Sequence, residues 1–153
     1  MAIETTRSLR HPTYQGFLLL RATFVVAPIL FGIDKFFNFM VYWPKYLAPW
    51  IANIVHVASV SPQEFMYLVG AIEVVAGILV FLAPRVGSVV VALWLAGIVV
   101  NLLTGHPPNF YDIALRDFGL FLAAVALNRL ATALEINTIR TEFQPVRVRR
   151  VVT

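Results

Sequence analysis

Residues 65–104 read FMYLVGAIEVVAGILVFLAPRVGSVVVALWLAGIVVNLLT, and along that whole stretch the only formally charged side chains are Glu73 and Arg85. A helix needs about 20 mostly apolar residues to cross the hydrocarbon of a bilayer, so the stretch has room for two crossings. Pro84 and Gly87 punctuate it near its middle, and Gly105, His106, Pro107 and Pro108 stop it. It therefore reads as a helical hairpin with spans at 64–83 and 86–104. Upstream, the window 16–35 has the same character, interrupted early by Arg21. Arg7 and Arg10 precede it as in a secretory signal, but no small-residue cleavage pattern follows, so it reads as a retained helix. Downstream, 112–133 makes a fourth window. The expected fold is an all-α membrane protein, a four-transmembrane-helix bundle over residues 1–134, followed by a basic tail over 135–153.

Composition supports this reading. The chain is 59% hydrophobic and 13% charged, against about 25% charged for an ordinary soluble domain. That excludes a disordered chain and argues against a soluble enzyme. With no cysteine, the chain can form no disulfide, bind no iron–sulfur cluster and carry out no thiol exchange. Any electron-transfer centre would have to belong to a partner. No Walker loop, HExxH, GxSxG or dinucleotide fingerprint occurs.

The segment 36–62 is rich in aromatic residues (Phe36, Phe37, Phe39, Tyr42, Trp43, Tyr46, Trp50) and contains Pro44, Lys45 and Pro49. It could be a fifth span, but the distribution of cations decides against that. With four spans, Arg7, Arg10, Arg85, Arg129, Arg140, Arg147, Arg149 and Arg150 fall on one side, which the positive-inside rule makes cytoplasmic, and Lys35 and Lys45 lie opposite. With five spans the bias largely vanishes. The expectation is a multi-pass protein of the inner (plasma) membrane with both termini cytoplasmic. Segment 36–62 would then lie outside, interfacial or re-entrant, with its Trp and Tyr rings at headgroup level. The net charge of +4 is explained by this orientation and by attraction to anionic lipid. Nucleic-acid binding is not needed to account for it.

An ionisable group inside a span is costly unless paired or wet, so such groups should face the bundle interior and are candidates for function. At 100° per residue, Arg21, Pro28, Gly32 and Lys35 lie on one stripe of the first helix, within about 40° of Arg21. Glu73 lies near the line through Gly70 and Gly77, whose missing side chains admit a close neighbour, so Glu73 should face protein. The third helix aligns Leu93, Gly97 and Asn101. The fourth aligns Asp112, Arg116, Gly119, Ala123 and Ala126, with Asp112 and Arg116 spaced for an ion pair and Asp117 turned about 100° away toward another partner. Because chain direction alternates between spans, Asp34, Lys35, Asn101, His106, Asp112, Arg116 and Asp117 should gather at the outer end. Glu73 should sit near mid-membrane, held protonated or paired with a cation such as Arg21 or Arg116. One reading of this cluster is a set of buried pairs that fix helix register. The other is a pocket for a polar headgroup, with Asp34, Lys35, Asn101, His106 and Asp112 as ligand-binding candidates and Arg21 as a charge within the bundle. His56 and His106 are both expected outside, but they show no recognisable ligand spacing, so no metal site is assigned.

Several short stretches together resemble the DoxX-like family of small four-helix membrane proteins. They are the arginine early in the first span, Gly32-Ile33-Asp34-Lys35-Phe36 at its end, Gly70-Ala71-Ile72-Glu73-Val74-Val75-Ala76-Gly77 in the second, and Leu115-Arg116-Asp117-Phe118-Gly119-Leu120 in the fourth. The likeness covers roughly residues 16–130. It implies a subunit of the thiosulfate:quinone oxidoreductase type, with Glu73, Arg116 and Asp117 at the family's polar positions as candidate catalytic residues, and Asp34 and Lys35 less closely matched. The long aromatic segment and the arginine-rich tail depart from a plain family member. The implied function is that of a quinone-linked redox component that is not catalytic alone, takes quinone as a non-covalent ligand and works with other membrane-protein subunits. The alternative is a non-catalytic accessory subunit of a larger respiratory or photosynthetic membrane complex. A solute or proton pathway is a third class, but the broken, repeated helices of transporters are lacking.

Overall fold

A computed structural model of the chain describes residues 11–105 and 110–142, with side chains through residue 135. The regular elements among them are all helical: α1 (Pro12–Phe37), a 3-10 turn (Trp43–Tyr46), α2 (Pro49–Val57), α3 (Pro62–Leu82), α4 (Pro84–Leu103) and α5 (Tyr111–Glu142). Four helices are long and apolar enough to cross a membrane: α1, α3, α4, and α5 over Tyr111–Glu135.

Local sequence accounts for the boundaries. Helices α1 to α4 each begin with proline, whose fixed φ suits the first helical position and whose missing N–H would have no partner there. At the start of α3, Ser61 Oγ accepts from the Glu64 N–H, and the Glu64 carboxylate accepts from the Ser61 N–H at 2.7 Å. This reciprocal box satisfies two of the donors a helix start leaves over. Helix α1 runs unbroken through Pro28 and stops at Asn38, whose backbone is left-handed (φ 52°) and whose N–H bonds the Asp34 carbonyl. Ala83 ends α3 and also caps α4, because a residue before proline is pushed out of the helical region.

Helix α1 packs chiefly on α3 and α4 on α5, while α3 against α4 and α1 against α5 close the bundle. Glycine sets the α1–α3 contact. A Cβ placed on Gly70 would lie 2.5 Å from the Gly32 carbonyl oxygen, and one on Gly77 would lie 2.9 Å from the Val25 carbonyl oxygen. The backbones touch because neither position carries a side chain, the device expected where helices associate without a hydrophobic drive from water. Away from this contact the core consists of Phe17, Phe24, Ala76, Val80, Val91, Ala92, Ala124, Leu127 and Ala131. Leu19, Val75, Phe81, Leu93 and Leu115 are exposed, as on a surface made to face lipid.

Two expectations need revision. On α5, Asp112, Arg116, Gly119 and Ala126 do share a face, but it is the outer one; the inner face carries Ala114, Asp117, Ala124, Leu127 and Ala131. Alanine occurs on both stripes, so smallness did not distinguish them. Gly97 on α4 is likewise exposed, and neither it nor Gly119 has anything within 4 Å of an added Cβ. Helix α5 continues past its membrane-crossing part, Tyr111–Glu135, to Glu142 within the polar tail, no proline intervening before Pro145. Residues 143–153 lie outside the described residues.

Segment 36–62 is not a span. The 3-10 turn and the nine-residue α2 are too short to cross, and together with their flanks they form a strap over one end of the bundle. That end also holds the end of α1 and the start of α3, and the α3–α4 turn marks the other.

Candidate functional site: a buried lysine–glutamate pair under an indole

Where α1 and α3 touch, Lys35 comes one helical turn after Gly32 and Glu73 one turn after Gly70, so the glycine contact brings their side chains together. The Lys35 ammonium donates to Glu73 Oε2 at 2.5 Å, and the side chains are only 5% and 9% exposed. The ammonium also approaches the Phe31 carbonyl at 3.5 Å and lies 3.8 Å from the centre of the Trp43 ring. A desolvated cation over an indole face gains about 2 kcal/mol. The other Glu73 oxygen, Oε1, accepts from Trp94 Nε1 on α4 at 3.3 Å. Three helices and the strap thus meet at one carboxylate–ammonium couple.

Asp34 is buried beside it with no cation in contact among the described residues. Its carboxylate accepts from the Trp43 indole N–H at 2.7 Å and from the Phe39 and Met40 backbone N–H groups at 3.1 Å each. It is therefore solvated by donors. Trp43 joins Asp34 to the Lys35–Glu73 pair, its indole N–H on Asp34 and its face on the Lys35 cation. Around it, Gln63 donates to the Lys35 carbonyl, Asn38 donates to Gln63 Oε1, and the Trp43 backbone N–H donates to Asn38 Oδ1.

Asn101 belongs to the strap's anchorage. Its amide donates to the Tyr46 carbonyl at 2.7 Å and its oxygen accepts from the Ala48 N–H at 2.8 Å, which satisfies backbone groups on either side of Leu47. One turn on, Thr104 Oγ1 accepts from the Trp50 indole at 2.8 Å.

The remaining expected site residues do not join this cluster. Glu73 pairs with Lys35 and not with Arg21 or Arg116. Arg116 bonds its neighbour Asp117 through Nε at 2.9 Å, with side-chain exposures of 63% and 8%, so Asp117 is the inward residue of the two and Arg116 supplies its partner. No Asp112–Arg116 ion pair occurs among the described residues, because Arg116 turns to Asp117; Asp112 is exposed. Arg21 lies toward the opposite end, where it donates to the Phe81 carbonyl and stacks near the Phe17 and Phe81 rings. His106 lies outside the described residues, and His56 is exposed. Among the described residues no group of three or more His, Cys, Asp or Glu side chains could hold a metal ion.

The residues expected to form one polar chamber are therefore bonded in three groups among the described residues: Asp34, Lys35 and Glu73 around Trp43, Asn101 with the strap, and Arg116 with Asp117. Two cavities lie elsewhere. A groove of about 260 Å³ along α3 and α4 is lined by Ala71, Ile72, Val75, Ala76, Leu79 and Val90. A second, of about 470 Å³, lies at the α3–α4 turn between Phe17, Arg85 and Glu135. Trp43 and Trp94 are the functional residues that sequence reasoning missed. Trp43 stands among the aromatic residues expected at headgroup level, but an indole N–H turned into the protein must find an acceptor, and the Asp34 and Glu73 carboxylates supply them to Trp43 and Trp94.

No protein-family model, curated protein or solved structure matches the chain.

Proposed function

We propose that this chain is a DoxX-like integral subunit of the inner membrane that handles a lipid-soluble quinone together with a partner carrying the redox centre. Both termini would be cytoplasmic and the strap extracytoplasmic, which agrees with the arginine bias. One observation carries the reading: a buried acid–ammonium couple, Glu73 and Lys35, held in contact inside an apolar bundle. Such a couple can pass a proton while Lys35 balances the charge left on Glu73, the general acid–base role a quinone carbonyl requires. An apolar groove along the same two helices, α3 and α4, offers a hydrophobic ligand a place on the bundle surface, though Glu73 does not line it. The partner supplies two electrons per quinone; the Lys35–Glu73 couple gives up the one proton it shares and regains it from water, and the second proton comes from water at the headgroup surface. Arg116 and Asp117 form a second, more exposed polar pair in the same reading.

The test is quinol formation in membranes containing the assembled complex. Glu73→Gln removes the transferable proton and keeps the Trp94 contact, so the rate should fall about 100-fold, the lower range for loss of a general acid. An unchanged rate with normal assembly overturns the proposal. A second reading, an accessory subunit without chemistry, is favoured by the outward face of α5 with Arg116 and Gly119 and by the exposed strap residues Phe39 and Met40. Purification as a stable, quinone-binding monomer would count against it.

A further inference from the structure

The strap is bounded by two backbone irregularities. Asn38 (φ 52°) and Ser59 (φ 56°) are the non-glycine residues with positive φ among the described residues, and they follow the ends of α1 and α2 respectively. At the second site, Ser59 N–H bonds the His56 carbonyl and Val60 N–H the Val55 carbonyl, closing the helix on a left-handed residue. A change of dihedral at either position breaks no helix, which is where a hinge can act; turning at Asn38 would also release the Phe39 and Met40 N–H groups from Asp34 and the Asn38 amide from Gln63, so these bonds belong to the latch.

Between these points the strap is held by discrete polar bonds more than by apolar burial. Ala48 and Val55 are its buried apolar side chains, and Trp43, Tyr46, Leu47 and Ile51 are half-buried, whereas Phe39 is 92% and Val57 84% exposed. The fastenings are Trp43 to Asp34 and over Lys35, Asn101 to Tyr46 and Ala48, and Trp50 to Thr104. A segment with few buried apolar contacts belongs to the part of a protein that opens at low free energy. The buried ammonium lies directly beneath it, covered by the Trp43 ring.

We infer that residues 38–59 form a hinged lid over the Lys35–Glu73 pair, turning at Asn38 and Ser59 and latched by Trp43 and Asn101, so that a ligand reaching the pair from this end must first displace the Trp43 indole. The ring occupies the place of such a ligand, which should itself be planar, offer a π face to the ammonium and carry a hydrogen-bond donor for Asp34. The lid does not depend on the quinone reading and can be tested without it.

The chain has no cysteine, so one introduced thiol reports alone. In the full-length protein in vesicles, Val55→Cys places it on the buried face of α2 and Ala124→Cys places one in the bundle core, where Ala124 is fully buried. A water-soluble maleimide should modify the Val55→Cys thiol slowly, and at least about tenfold faster when Trp43→Leu or Asn101→Ala is added, because the rate follows the open population when closing is fast. The Ala124→Cys thiol should stay unreactive in all of these backgrounds. Rapid modification of Val55→Cys with the latches intact, no acceleration on removing either latch, or equal acceleration at Ala124→Cys would each overturn the lid. The two latch variants lie on different elements, so failure of one to fold leaves the other to decide.

Discussion

Removing one member of the Lys35–Glu73 pair should cost far more than removing both. At 2.5 Å and an effective dielectric of about 20, the gross attraction is about 7 kcal/mol. Desolvation of two ions offsets most of it, so replacing a buried pair by apolar groups is often neutral or stabilising, whereas orphaning one charge costs about 3–5 kcal/mol. The structure orders the single variants. Glu73→Gln leaves the Lys35 cation with the Trp43 face and the Phe31 carbonyl and should sit near 3 kcal/mol at the low end of that range. Lys35→Met leaves the Glu73 carboxylate with one 3.3 Å bond from Trp94 and should sit near 5 kcal/mol. The double variant Lys35→Met/Glu73→Leu should return to within about 2 kcal/mol of the parent, a coupling of several kcal/mol. Reversible unfolding in mixed micelles, followed by tryptophan fluorescence with all four proteins, measures the cycle. Additive single costs, or singles below about 1 kcal/mol, would show that the pair is not a buried, mutually dependent unit.

Other sites give smaller, contrasting effects. Gly70→Ala should destabilise by more than about 2 kcal/mol because its methyl meets the Gly32 carbonyl, whereas Gly97→Ala and Gly119→Ala should be neutral or stabilise by up to about 1 kcal/mol in the same assay. Asn101→Ala orphans the Ala48 N–H and the Tyr46 carbonyl and should cost about 2–4 kcal/mol, with protease sensitivity rising in the strap before the bundle. Glu135→Ala breaks a pair whose side chains are 51–59% exposed and should change stability by less than about 1 kcal/mol; a larger loss would show that the pair is shielded from water.

The spans were readable because hydropathy and proline breaks are local properties: the expected 64–83 and 86–104 became Pro62–Leu82 and Pro84–Leu103. The inward setting of Glu73 was also readable, since its glycine neighbours permit close approach on one side only. Its partner was not. Arg21, Arg116 and Lys35 were all cations on neighbouring helices, and only the stagger fixed by the Gly32–Gly70 contact selects Lys35. The facing of α5 failed for a related reason, because periodicity groups residues into stripes but does not say which stripe turns inward when both carry alanine. Trp43 escaped notice because its role depends on a bend at Asn38 that carries an aromatic residue back under the chain, and no periodic pattern records that.

The prolines that open four consecutive helices have an implication for how the chain enters a bilayer. An ordinary helix start presents amide hydrogens that must shed water or find an acceptor as the segment partitions from the headgroup zone. A pyrrolidine nitrogen has none to shed, and its ring already holds the helical torsion. Each of these segments can therefore begin its turn of helix at the interface on local instructions alone, before any neighbouring helix has arrived, and that independence suits a polypeptide delivered to the membrane one stretch at a time.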